Sequence, residues 1–225
     1  MTQSRSRREI TVDALAIGAA TGAYGISYGA VAVANGFDVW QTQVLSLFMF
    51  TGASQFATVV TLGAGGTLAA AVATALLLGL RNGLYALSLA HDLAPRGWRR
   101  PVVAQLTIDE STAMAVANAD DRAAMRYAFL ATGLSVFVLW NVGTAVGALS
   151  ANLLGDPRRY GLDAAAAAAF LALLWPRLDN RETRLVAVVA GAATLILLPL
   201  VAPGIPVLAS AVVAVVAGLW PRRDT

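Results

Sequence analysis

No cysteine and no lysine occur in the sequence, and His91 is its only histidine. Without cysteine there is no disulfide and no thiolate chemistry, and a lone histidine excludes a histidine-based metal cluster. Charge is scarce as well: 13% of the 225 residues are charged, against about 25% in an ordinary soluble domain. What remains is apolar, 58% hydrophobic with a mean hydropathy of +0.67. Several separate apolar stretches approach or exceed the roughly 20 residues that cross a bilayer. The chain therefore reads as an all-α, polytopic integral membrane protein with one transmembrane domain over residues 1–225. All 16 basic residues are arginines, and most sit between apolar runs. They read as topology signals, with no nucleic-acid footprint. Residues 1–11 read as a retained cytoplasmic tail, because no small-residue cleavage pattern follows them.

The stretch around which the chain is organised is Phe50-Thr51-Gly52-Ala53-Ser54-Gln55-Phe56, inside an apolar run over 42–62. A glutamine in mid-membrane needs hydrogen-bond partners that hydrocarbon cannot offer. Gly52, Ala53 and Ser54 remove side-chain bulk where Gln55 adds polarity. Two readings stay open: a broken helix near Gly52 where a small ligand approaches, or a small-residue packing face with one interhelical hydrogen bond.

The first apolar segment, 12–34, spaces Gly18, Gly22, Gly25 and Gly29 by four, three and four residues, which puts them on one helical stripe. Close helix packing and a smooth wall for a substrate, with Gly22 and Gly25 lining it, both fit that stripe. The third segment, 67–90, carries Arg81 far from either end, with Asn82 beside it and Tyr85 and Ser88 on the same face. A charge there costs about 2.5–3.5 kcal/mol on insertion scales, so it needs a partner, a watery cavity or a path for snorkelling. The fourth stretch, 102–117, is shorter and holds adjacent Asp109 and Glu110. Consecutive helical residues point about 100° apart, so one carboxylate can pair with Arg81 while the other faces water or a substrate. A surface loop that is merely apolar is the competing reading.

Segments over 127–151, 164–175, 185–201 and 207–220 complete a count of seven or eight spans. With eight spans and both termini cytoplasmic, ten arginines fall inside and five outside, including those of the 95–101 loop; if the Asp109 stretch only dips in and returns, the tally becomes five inside and ten outside, so the positive-inside rule favours eight spans. An internal two-fold repeat is also expected, with halves 12–118 and 123–220. Each half has a glycine-spaced helix, a Gly-apolar-Asp step (Gly36-Phe37-Asp38, Gly161-Leu162-Asp163) and a following helix. Repeats of this kind place a transporter's site near the midplane between them.

Five short motifs, in order, resemble the AzlC family, the large subunits of bacterial branched-chain amino-acid exporters. The glycine-rich run 22–29 is similar to the family's first-helix signature. Residues 50–56 resemble its FAGAxQF motif, and Leu80-Arg81-Asn82-Gly83-Leu84-Tyr85 its N-x-R-H-x-L-x-Y/G region. Ile108-Asp109-Glu110 resembles its T-D-E motif and Gly161-Leu162-Asp163 its GLD motif. The chain departs from the pattern at Gly79 (usually Asn), Asn82 (usually His) and Ile108 (usually Thr).

The resemblance implies secondary export of Leu, Ile, Val and in some members Met across the bacterial inner membrane. It also implies a small AzlD-type membrane partner; no cofactor, no metal and no enzymatic step are expected. A zwitterion needs an acceptor for its ammonium and donors for its carboxylate. The candidate substrate-binding residues are Gly22, Gly25, Gly52, Ala53, Ser54, Gln55, Phe56, Arg81, Asn82 and Tyr85. Asp109 and Glu110 are the candidates for ammonium binding or proton coupling. A non-transporting assembly subunit and a transporter of another small solute stay open as alternatives. No phosphate-binding loop and no nucleophile–base set of the usual histidine kind is present, which argues against an ATP-driven pump or an intramembrane hydrolase.

Overall fold

The computed structural model describes residues 5–154, 171, 174–175 and 178–219, and among them the chain is helical with no strand. Among the described residues three helices are long and apolar enough to cross a bilayer: α1 (Arg7–Ala34), α4 (Leu68–Leu93) and α7 (Arg122–Leu154). They coincide with the first, third and fifth apolar segments of the sequence. A capping box opens α1, where the Ser6 hydroxyl accepts from the Glu9 N–H and the Glu9 carboxylate accepts from the Ser6 N–H.

The glycine stripe is where α1 meets α7. Gly22 and Gly143 face each other so closely that a Cβ on Gly143 would lie 2.0 Å from the Gly22 carbonyl oxygen. Gly147 stands in the same relation to Ile26. Contacts climb together along both helices, Gly18 with Ser135, Gly22 with Leu139, Gly25 with Trp140 and Gly29 with Thr144. The two helices therefore run parallel, backbone against backbone, as small-residue faces allow.

Between these spans, two apolar stretches that the sequence suggests as single spans are broken. The first forms α2 (Val39–Phe48) and α3 (Gly52–Gly63), separated by residues 49–51. Asp38 caps α2, and Gly63 at the end of α3 packs on the Asn35 side chain at the end of α1. The α2–α3 unit thus starts and finishes at the same end of the bundle. The second forms α5 (Arg99–Gln105) and α6 (Asp109–Val116), separated by residues 106–108. The end of α4 and the start of α7 are tied by Arg122 to Asp92 at 2.8 Å and by Arg126 Nε to the Asp92 carbonyl. So α5–α6 also leaves and returns at one end, the opposite one.

The result is two helical hairpins inserted from opposite ends, between three crossings. Their tips are joined in the middle, where Gln105 Nε2 donates to the Leu47 carbonyl at 2.8 Å. This arrangement corrects the reading of stretches 42–62 and 102–117 as full spans, so the described residues do not carry the expected count of seven or eight. It also moves the 95–101 loop. Thr11 bonds Tyr127 at 2.8 Å, which sets the start of α1 beside the start of α7. Arg5, Arg7, Arg8, Arg96, Arg99, Arg100, Arg122 and Arg126 consequently share one end of the bundle. At the other end, residues 35–38 and 63–67 hold no arginine.

Over the described residues 178–219 lie two shorter helices, α8 (Arg181–Leu197) and α9 (Ile205–Leu219). Their connecting turn lies at the arginine-poor end, with Gly204 against Thr61 and Ala70. Most of the sixth apolar segment and the Gly161-Leu162-Asp163 step, the middle of the second expected repeat half, lie outside the described residues. A different relation is visible instead: α1 followed by its hairpin, and α4 followed by its hairpin, run in opposite directions.

Candidate functional site

A cavity of about 250 Å³ lies where the two hairpin tips meet α1, α4 and α7. Each hairpin contributes its break and the first residues of its second half-helix: Phe50, Thr51, Gly52 and Ala53 from one, Ile108, Asp109 and Glu110 from the other. Helix α3 starts at Gly52 with no side-chain cap, and at the start of α6 the Ser111 hydroxyl accepts from the Ile108 N–H while Ile108 itself offers no side-chain cap to the first turn. Two helix N-termini thus open on the same small space. Each has backbone N–H groups without intrahelical partners and a partial positive charge.

The third wall is α4, which carries Arg81 and Asn82 into the cavity. Arg81 Nη1 lies 2.8 Å from Asp109 Oδ2, with the two side chains 33% and 19% exposed. The mid-helix cation therefore has a carboxylate partner, and the other carboxylate, Glu110, lines the cavity with no ion pair among the described residues. The fourth wall is apolar and aromatic. Tyr24 stacks on Phe56 at 5.2 Å and meets Trp140 edge-on at 5.5 Å. Tyr28 stacks on the far side of this group, 5.9 Å from Trp140. Val136 and Phe50 complete the apolar lining.

Six polar atoms on lining residues are buried with no hydrogen-bond partner among the described residues. Arg81 Nε and Trp140 Nε1 are donors. Asn82 Oδ1 and Asp109 Oδ1 are acceptors. The Tyr24 and Thr51 hydroxyls can act as either. An unsatisfied buried polar group costs about 1–3 kcal/mol, so six around one space favour filling it with something polar, water or solute. Donors and acceptors are both present, and the remaining wall is apolar.

The residues singled out from the sequence separate into two groups. Gly52, Ala53, Arg81, Asn82, Asp109 and Glu110 come together around the cavity. Gly22 and Gly25 instead lie against the α7 backbone. Ser54 Oγ turns away and donates to the Ala75 carbonyl at 2.8 Å. Gln55 is fully buried inside its own hairpin, where Nε2 donates to the Leu45 carbonyl at 3.2 Å. Phe56 supports the cavity from behind through Tyr24, and Tyr85 lies outside the lining. Tyr24, Thr51, Ile108 and Trp140 were not among the expected site residues. A sequence signal existed for Trp140, a polar-tipped aromatic beside Asn141 in mid-span, and for Thr51, which stands directly before the small-residue run.

Comparison with known proteins places this arrangement in a group. The protein family described as "AzlC protein" matches residues 16–154, a range that contains both hairpins and every residue of the cavity. An "Uncharacterized membrane protein" of Helicobacter pylori (strain ATCC 700392 / 26695) is 30% identical over 126 residues, 56% of this chain and 55% of the relative. One of Archaeoglobus fulgidus is 32% identical over 170 residues, 74% of this chain and 73% of the relative. The matched stretch spans about half the length of the two Helicobacter pylori relatives, 55% of each. No solved structure matches.

Proposed function

The chain belongs to the AzlC family, and from that premise we propose that it is a secondary transporter, not an enzyme, exporting branched-chain amino acids across the bacterial inner membrane. The observation that carries this reading is the set of unpaired donors and acceptors facing one another across a small, partly apolar cavity. The carboxylate of the amino acid sits at the uncapped start of α3 and takes hydrogen bonds from the Gly52 and Ala53 N–H groups and from Arg81 Nε. Its ammonium faces Glu110, Asp109 Oδ1 and Asn82 Oδ1. The aliphatic side chain lies against Val136, Phe50 and the edges of Tyr24 and Trp140. Helix N-termini and broken helices at mid-depth serve small ions and zwitterions in this way in transporters generally.

The hairpins supply the route. One closes the cavity from the arginine-poor end and the other from the arginine-rich end, and the Gln105–Leu47 bond holds the tips together. Withdrawing either tip opens the site to one side only. Asp109 and Glu110 carry the coupling proton, and the arginine-rich end is cytoplasmic by the positive-inside rule, which puts the N-terminus inside. A small AzlD-type subunit covers the exposed face of α4, where Leu76, Leu80, Leu84 and Leu87 stand in a row beside the one-third exposed Arg81.

Counterflow in proteoliposomes tests the reading. Vesicles holding this chain and its small partner, preloaded with leucine, should accumulate labelled leucine or valine from outside. Absence of exchange for every branched-chain amino acid, with exchange of some other solute, would assign the cavity to that solute instead.

A further inference from the structure

A second cavity, of about 800 Å³, lies at the arginine-rich end between the end of α4, the 94–98 loop, α5 and the start of α7. Four arginines line it, Arg96, Arg99, Arg122 and Arg126, and no carboxylate is among the lining residues. Asp92, just outside, takes up Arg122 through its carboxylate and Arg126 through its carbonyl. Arg96 and Arg99 have no acidic partner among the described residues, and the Arg99 guanidinium rests 5.9 Å from the Trp98 ring centroid. The floor beneath this charge is apolar. Phe129 is fully buried there, while Val102 and Leu130, at 40% and 41% exposed, carry the apolar surface out onto the sides of the bundle.

We propose that this cavity binds the phosphate headgroup of an anionic phospholipid, with the upper part of one acyl chain lying on Val102 and Leu130. Cations alone would suit any phosphate. Cations above an apolar floor that continues into the membrane-facing surface suit a phosphate that carries hydrocarbon. The depth is also right. The cavity sits at the ends of two crossings, at headgroup level, and Trp98 stands exposed beside it, as aromatic side chains do at that interface. Basic pockets between spans on the arginine-rich side are the usual form of such a site. The bound lipid would brace the root of the α5–α6 hairpin against α4 and α7.

The purified chain in detergent is titrated with phosphatidylglycerol, phosphatidylcholine of the same acyl length and inorganic phosphate, and thermal unfolding is followed. Phosphatidylglycerol should raise the midpoint by several degrees more than phosphatidylcholine, and inorganic phosphate at equal concentration should not. The double variant Arg96→Gln/Arg99→Gln should lose most of that difference, and each single variant part of it. Arg5→Gln/Arg8→Gln, at the same end but away from the cavity, should keep it. Equal effects of the two lipids would overturn the proposal, as would a full phosphatidylglycerol effect in the single and double cavity variants. A phosphate effect as large as the lipid's would overturn the lipid assignment. Native mass spectrometry gives a second readout, one tightly retained phosphatidylglycerol per chain, absent from the double variant.

Discussion

Arg81 on α4 and Asp109 at the first position of α6 lie 2.8 Å apart, Nη1 to Oδ2, at the mouth of the central cavity. The pair joins a continuous crossing helix to the tip of a hairpin. It leaves Arg81 Nε and Asp109 Oδ1 without partners, so each ion keeps one hydrogen-bonding atom in reserve.

Removing one member of this pair should do more harm than removing both. Arg81→Ala leaves a poorly solvated carboxylate, a loss of about 3–5 kcal/mol for a well-buried pair and less here because both groups keep some solvent contact. Arg81→Ala/Asp109→Ala should recover part of the lost melting temperature and none of the transport. A double variant as unstable as the sum of the singles would show that the two side chains do not act as a pair.

Topology follows from the hairpins, and a chain without cysteine reports it cleanly. Single cysteines at Gly36 and Gly65 should be labelled by an impermeant maleimide from one face of the membrane. Cysteines at Gly97 and Ala119 should be labelled only from the other, the face shared with the N-terminus. If 42–62 crossed the bilayer as one helix, Gly36 and Gly65 would label from opposite faces.

The α1–α7 interface sets a contrast between glycines. On Gly143 a methyl group meets the Gly22 carbonyl at 2.0 Å, and on Gly83 it meets open space. Gly143→Ala should destabilise by about 1–3 kcal/mol, the range for forcing extra volume into tight packing. Gly83→Ala should be neutral or stabilising by up to about 1 kcal/mol through helix propensity. Thermal unfolding of the two variants side by side is the measurement.

Thr51→Val removes a buried hydroxyl that has no partner among the described residues, while keeping the branched shape its extended backbone favours. The empty protein should be as stable as before or more so. Stabilisation by added leucine should fall, because the hydroxyl serves the occupant and not the fold. Loss of stability in the empty protein would assign Thr51 to the fold.

The sequence made the crossing helices plain. The four-three-four glycine spacing marks the face of α1 that packs on α7, and long apolar runs mark α4 and α7. The helix start at Gly52 was also legible, from the loss of side-chain bulk in Gly52-Ala53-Ser54. The return of the Asp109 stretch was open from the sequence but disfavoured by the arginine tally, and the hairpin over 39–63 was not legible as such. Ten and twelve helical residues around a three-residue break have the length and hydropathy of one span, and only the packing of Gly63 on Asn35 shows where the chain turns back. That one error moved the arginines of the 95–101 loop to the wrong end. Polarity in an apolar run located Arg81, Asn82, Asp109 and Glu110. It also pointed at Ser54 and Gln55, of which the Ser54 hydroxyl donates beside its hairpin and the Gln55 Nε2 within it, the Gln55 Oε1 staying buried without a partner among the described residues. Helical position alone does not say which face of a half-helix looks inward once the helix is cut.

The most direct test is leucine binding to the purified chain, set beside two analogues that each lack one charge: 4-methylpentanoate, without the amine, and isopentylamine, without the carboxylate. Leucine should raise the unfolding midpoint, and neither analogue should at the same concentration. Glu110→Gln, inside the cavity, should abolish the leucine effect, and Ser54→Ala, outside it, should preserve it. Stabilisation by either analogue equal to that by leucine, or a full leucine effect in the Glu110 variant, would contradict a zwitterion site between the hairpin tips.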